Sequence, residues 1–141
     1  MNDELPSADP VATRVPTGTE GARPFLPAKD YELSKRFYET IGFEKVLDGQ
    51  VAIFRVAAGG FILQRGYQKD WAENTMVQLL VDDLDTWWTH LAGLDLPGRF
   101  GVQAPKPPAM QPWGMRVAFL YDPSGVLWHV SQRRPGALQD E

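Results

Sequence analysis

The chain has 141 residues, 43% of them hydrophobic, and a formal net charge of −4, which is enough material for one globular domain with a sizeable core. An acidic balance with no basic block argues against nucleic acid as a partner, because phosphates need a stripe of Lys and Arg to neutralise them. The lack of cysteine excludes disulfides, thiolate metal sites and a Cys nucleophile. No apolar run reaches the roughly 18–20 residues of a membrane span, and no basic stretch followed by an apolar one opens the chain, so a cytoplasmic protein without a membrane partner is expected.

Residues 1–22 mix Pro, Gly, Asp, Glu, Ser and Thr without apolar periodicity and read as a flexible tail. A domain then spans 23–132, and 133–141 form a second tail. Phe25 and Leu26, bracketed by Pro24 and Pro27, suit a short edge strand. Asp30 is a helix N-cap, and Leu33, Phe37 and Ile41, with Tyr38 alongside, make one apolar helical stripe that Gly42 ends. Strands are predicted over 43–47 and 51–56, joined by Asp48-Gly49, and over 61–65 after the reversal at 57–60. Residues 67–75 are polar and read as a loop.

Residues 76–81 (MVQLLV) open the second half as a strand. Asp82 and Asp83 can cap a helix whose stripe is Leu84, Trp87, Trp88 and Leu91, closed by Gly93. His90 lies off that stripe and is expected to be solvated. A short strand near 99–103 and a stiff, proline-rich loop over 104–112 follow, the latter of the kind that borders binding sites. The strand Met115–Tyr121, the turn Asp122-Pro123-Ser124-Gly125 and the strand Val126–Ser131 finish the fold.

The order strand, helix, strand, strand, strand thus occurs twice, over about 23–66 and 76–132, and the strand-to-helix junction at Asp30 recurs at Asp83. The predicted class is α+β: two βαβββ modules, each with one sheet face under its helix, whose free faces make a concave half-barrel with a ligand cavity. Alternation along strands assigns the faces. Val77, Leu79, Val81, Trp128 and Val130 go under the helix, whereas Met76, Gln78, Leu80, Leu127, His129 and Ser131 turn to the cavity. Gln64 is the polar candidate on the strand 61–65.

The phrases PFLPAKDYELSKRFYETIGFEKV, MVQLLVDDLD and WGMRVAFLYDPSG, in this order and spacing, resemble the glyoxalase/bleomycin-resistance/dioxygenase group, the vicinal oxygen chelate superfamily, from Arg23 to Gln132. Metalloenzymes of that superfamily hold a divalent ion through His and Glu on cavity-facing strands. By register, the corresponding positions here are Met76, His129, Leu63 or Gln64, and one near Arg23. One imidazole in such company does not meet the usual three-ligand minimum of a catalytic metal, so no cofactor is expected. The resemblance is better to the bleomycin-resistance branch. It implies a homodimer that sequesters a small-molecule ligand, such as a bleomycin-type antibiotic, in clefts between subunits, with Trp and Phe as stacking surfaces. The alternative is a metal-dependent glyoxalase-type lyase or isomerase, or a dioxygenase.

The candidate ligand-binding residues are His129, Arg116, Trp113, Gln78, Met76, Gln64 and Trp71. His129 reads as a ligand contact, a structural histidine, or a metal ligand or general base without an orienting partner. Arg116 could stand at the cavity mouth or pair with a surface acid. Trp113, in a Pro-Trp-Gly loop, could stack on a ligand or at a dimer interface, and Trp71 and Tyr67 could line the cleft or pack locally. Trp87 and Trp88 belong to core or interface. Ser34, Ser124 and Ser131 lack a His/Asp arrangement, and Gly59-Gly60 joins strands rather than cradling a phosphate.

Overall fold

A short carboxylate cap sets up the first module of the computed structural model, which describes residues 14–133. After β1 (Phe25–Ala28), the Asp30 carboxylate accepts the Leu33 N–H at 3.1 Å and starts α1 (Tyr31–Ile41). Phe37, Tyr38 and Ile41 of the apolar stripe are buried. Gly42 closes the helix with φ at 117°, a backbone state that favours glycine. The strands β2 (Glu44–Asp48), β3 (Val51–Val56) and β4 (Gly59–Arg65) complete a sheet of order β1-β4-β3-β2, with β1 parallel to β4 and the other pairs antiparallel.

The second module repeats this plan. β5 (Met76–Val81) leads to α3 (Leu84–Ala92), whose N-cap Asp83 accepts the Thr86 N–H at 3.1 Å. With β6 (Lys106–Met110), β7 (Arg116–Tyr121) and β8 (Leu127–Gln132) it forms a sheet of order β5-β8-β7-β6, with β5 parallel to β8. Neither sheet closes on itself, and the whole is the α+β half-barrel architecture of two βαβββ modules expected from the sequence.

Local structure departs from expectation at three places. Within the supposed loop 67–75 lies a short helix, α2 (Lys69–Glu73). No strand forms near 99–103; a helical turn, α4 (Leu96–Phe100), stands there, started by Asp95, whose carboxylate accepts the Gly98 N–H, and by Pro97 in the first turn, where a missing N–H costs nothing. The missing strand is β6, inside the supposed loop 104–112. Its two prolines are tolerated because β6 is an edge strand and its pairing with β7 slips between Lys106 and Ala109.

At the termini, residues 14–24 are exposed and join no strand or helix. The rest of the supposed N-terminal tail, and 134–141 of the supposed C-terminal one, lie outside the described residues. Arg133 itself is tied down, its N–H donating to the Val81 carbonyl at 2.7 Å.

The core lies where the covered faces of the two sheets meet. Trp128 of β8 sits 5.7 Å from Tyr38, 5.3 Å from Phe43 and 5.6 Å from Phe61, centroid to centroid, in an aromatic cluster that joins both modules. Leu120 and Val130 are buried on the same face of the second sheet as Trp128, and Phe54 and Leu63 on the matching face of the first. The other face of each sheet points away from this core and is partly exposed.

Candidate functional site

β8 positions His129. Pairing across three strands puts Gln78, His129 and Phe119 side by side, and in-register neighbours share a face. Trp128, on the opposite face, fixes the direction of its neighbour. The His129 ring meets Phe119 edge-on at 4.9 Å and lies 6.1 Å from Trp113 at 34°. Its Nε2 is buried with no hydrogen-bond partner among the described residues. Burial holds the imidazole below its ordinary pKa, so the ring is neutral near pH 7 and can donate or accept a hydrogen bond without charge.

Around this centre the face is soft and apolar. Met76 is 65% exposed, Leu80 43% and Trp113 55%. The Gln78 amide lies 4.0 Å from the Met115 sulfur, which leaves its amide oxygen for another partner. Trp113 is carried by a turn in which Gly114 N–H donates to the Gln111 carbonyl and Gly114 takes φ of 90°. Such a surface combines polarizable thioethers, aromatic faces and two neutral hydrogen-bonding groups, which suits a planar heteroaromatic molecule better than an ion.

The expected site residues therefore divide. His129, Gln78, Met76 and Trp113 share one face or border it. Gln64 lies on the open face of the other sheet, with Ile53 and Ile62. Trp71 is half-buried on α2, where its carbonyl accepts from the Thr75 hydroxyl at 2.6 Å. Arg116 is on the covered side of β7, two positions from Ala118 in the alternation, and its guanidinium bonds Asp85 of α3 at 2.8 Å. The structure thus takes Arg116 away from His129 and gives it the pairing role that was its other reading. His90 is exposed as expected, but its Nε2 also bonds the Ile41 carbonyl at 2.6 Å and joins the two helices.

Phe119 and Met115 belong to the face without having been singled out. The signal for Phe119 was present: counting back across the tight turn from His129 places Phe119 opposite it. Cavities lie elsewhere on the single chain. One of about 440 Å³ is bounded by Glu20 to Arg23 and by Val46, Ile53 and Arg55 on the open face of the first sheet. A groove of about 670 Å³ runs between the modules along Phe43, Arg55, Leu79 to Asp83 and Trp87. Neither is lined by His129, whose face is an open sheet surface.

A divalent metal does not fit the donors at the family positions. Met76 and His129 stand on neighbouring strands with Gln78 and Phe119, and among the described residues no three His, Asp or Glu side chains gather as a metal site. The set offers one imidazole, a thioether and an amide.

No family model matches the chain. A bleomycin resistance protein of Klebsiella pneumoniae is 31% identical over 128 residues, which cover 81% of this chain and 93% of the relative. Among solved structures, a bleomycin-binding protein complexed with bleomycin superimposes with a TM-score of 0.70 at 26% identity, covering 82% of this chain and all of that one. The bleomycin-binding protein of the bleomycin producer Streptomyces verticillus, complexed with copper(II)-bleomycin, gives a TM-score of 0.68 at 27% identity, covering 81% and 96%. Two open four-stranded sheets with this strand order, a covered aromatic core and this likeness over nearly the whole of a curated relative place the chain in the bleomycin-resistance family of the glyoxalase/bleomycin-resistance superfamily.

Proposed function

We propose that this protein binds a bleomycin-type drug, or a related heteroaromatic metabolite, and protects by sequestering it unchanged in the cytoplasm, with no metal of its own. The observation that carries the reading is the constellation on the open face of the second sheet: neutral His129 flanked by Gln78, Phe119 and Trp113. Heteroaromatic rings match such a surface by stacking, and the imidazole and amide supply directional bonds.

In this reading the cleft is completed by a second copy. Because the covered faces of the two sheets meet inside one chain, nothing of the first sheet stands opposite His129. Phe25 and Leu47, about half exposed, and Met76 and Leu80 are the apolar residues for a partner copy to cover. Gln64 then reaches the cleft from the partner's first sheet.

Titration calorimetry with bleomycin tests the reading together with two variants. His129→Ala weakens binding about tenfold or more, the worth of one good contact in a desolvated site, while His90→Ala leaves affinity near that of the parent. Equal affinities for the two variants contradict the face assignment. Stoichiometric divalent metal in freshly purified, tag-free protein contradicts the metal-free part of the reading.

A further inference from the structure

On the helical side of the first sheet, remote from the open faces, two guanidiniums border one groove. Arg36 comes from α1 and Arg99 from α4, and Glu39, Thr40 and Phe100 complete the lining of a hollow of about 500 Å³. Among the described residues neither arginine reaches a carboxylate; Arg99 Nη1 donates to the Leu94 carbonyl at 3.4 Å, which leaves the other N–H groups of its fork for a ligand. In a chain of net charge −4, two cations left over in the same groove are a local inversion of sign. The carboxylate in the lining, Glu39, is engaged by Lys45 at 3.3 Å, which reduces its repulsion of an anion.

The groove is also built on a firm base. Phe100 meets the buried Phe37 edge-on at 5.4 Å, and the Arg99 guanidinium lies over the Phe100 ring at 5.4 Å. Asp95 caps the short helix and Gly101 ends it with φ of 68°, so the turn that carries Arg99 is constrained at both ends. The Thr40 hydroxyl lies beside them as a further donor. Planar guanidinium forks from two elements, one resting on an aromatic ring, match the oxygens of a tetrahedral oxyanion.

We propose that the groove between α1 and α4 is a binding site for a phosphate-class oxyanion, separate from the face that carries His129. The same chemistry serves inorganic phosphate and a phosphate monoester on an organic group, and the two are told apart by the ligands used.

The test is a titration of the whole chain, followed by amide resonances, with inorganic phosphate and in parallel with phenyl phosphate at low ionic strength. Saturable shifts centred on residues 36, 40, 99 and 100 are expected from at least one ligand. The double variant R36Q/R99Q, both changes being at exposed positions, weakens that binding at least tenfold and leaves bleomycin affinity unaltered. Raising salt from about 0.01 M to about 1 M, which shortens the screening length from about 30 Å to about 3 Å, removes it. Tighter binding of phenyl phosphate assigns the site to monoesters, and equal binding assigns it to the phosphate group alone. No saturable shift with either ligand, or shifts that survive R36Q/R99Q, overturns the proposal. Bleomycin binding is read separately, so this site and the drug site can fail independently.

Discussion

Tyr38, Asp122 and Trp128 tie the two modules together through a buried polar link. The Tyr38 hydroxyl donates to Asp122 Oδ2 at 2.6 Å and accepts the Trp128 indole N–H at 3.1 Å, and Asp122 Oδ1 accepts the N–H groups of Ser124 and Val126. Burial, reinforced by the neighbouring Asp122 charge, pushes the Tyr38 hydroxyl well above its ordinary pKa, so it stays a donor. Tyr38→Phe keeps the ring in the aromatic cluster and leaves Asp122 short of a partner. It is expected to cost about 1–3 kcal/mol in denaturant unfolding; an unaltered midpoint would show that this link does not hold the modules together. His129 gives a second residue-scale prediction. Its folded-state pKa lies below the unfolded value of about 6.5, so as pH falls from there the unfolded chain takes up the proton first and stability declines. His129→Gln flattens the part of the acid dependence that lies between about pH 6.5 and the lower folded value, seen as a smaller drop in unfolding midpoint between about pH 7.5 and about pH 5.5 than in the parent. An unchanged slope would mean that the imidazole is not desolvated.

The elements show which sequence signals were strong enough to read. Both long helices declared themselves through an Asp cap and an apolar stripe, and the paired strands of the two modules through alternation and turn residues, because each signal reflects a local requirement for burial or backbone geometry. Gly42 is one such requirement: at φ of 117°, Gly42→Ala is expected to destabilise by about 1–2 kcal/mol, measurable as a lower melting temperature. The elements that were misplaced, α2, α4 and β6, are short and depend on tertiary context. β6 in particular has a composition that argues against a strand, and only its place at the sheet edge makes Pro107 and Pro108 acceptable. The direction of His129 was legible because Trp128, its large neighbour, had to be buried. The direction of Arg116 was not, since both faces of β7 carry apolar residues and the alternation there has no strong polar contrast.

At the scale of the molecule, duplication gives each sheet one face for the core and one left open, which the proposed function uses for binding. The covered faces are used up by the contact between modules, and the open faces remain as an apolar surface dotted with Gln64, Gln78 and His129. On the proposed reading that a second copy covers that surface, the two charged substitutions Met76→Glu with Leu80→Glu are expected to leave only monomers by light scattering, where the parent chain gives dimers, and to weaken ligand binding at the same time; a parent that is already monomeric, or a variant that stays dimeric, would contradict that contact. The central claim is that the open face holds a bleomycin-type ligand without altering it. Calorimetric titration of the metal-free protein with bleomycin, followed by recovery of the ligand, tests it most directly. The account predicts saturable heat of binding and chemically unchanged bleomycin on release, whereas the absence of any saturable heat, or recovery of a modified compound, would contradict it.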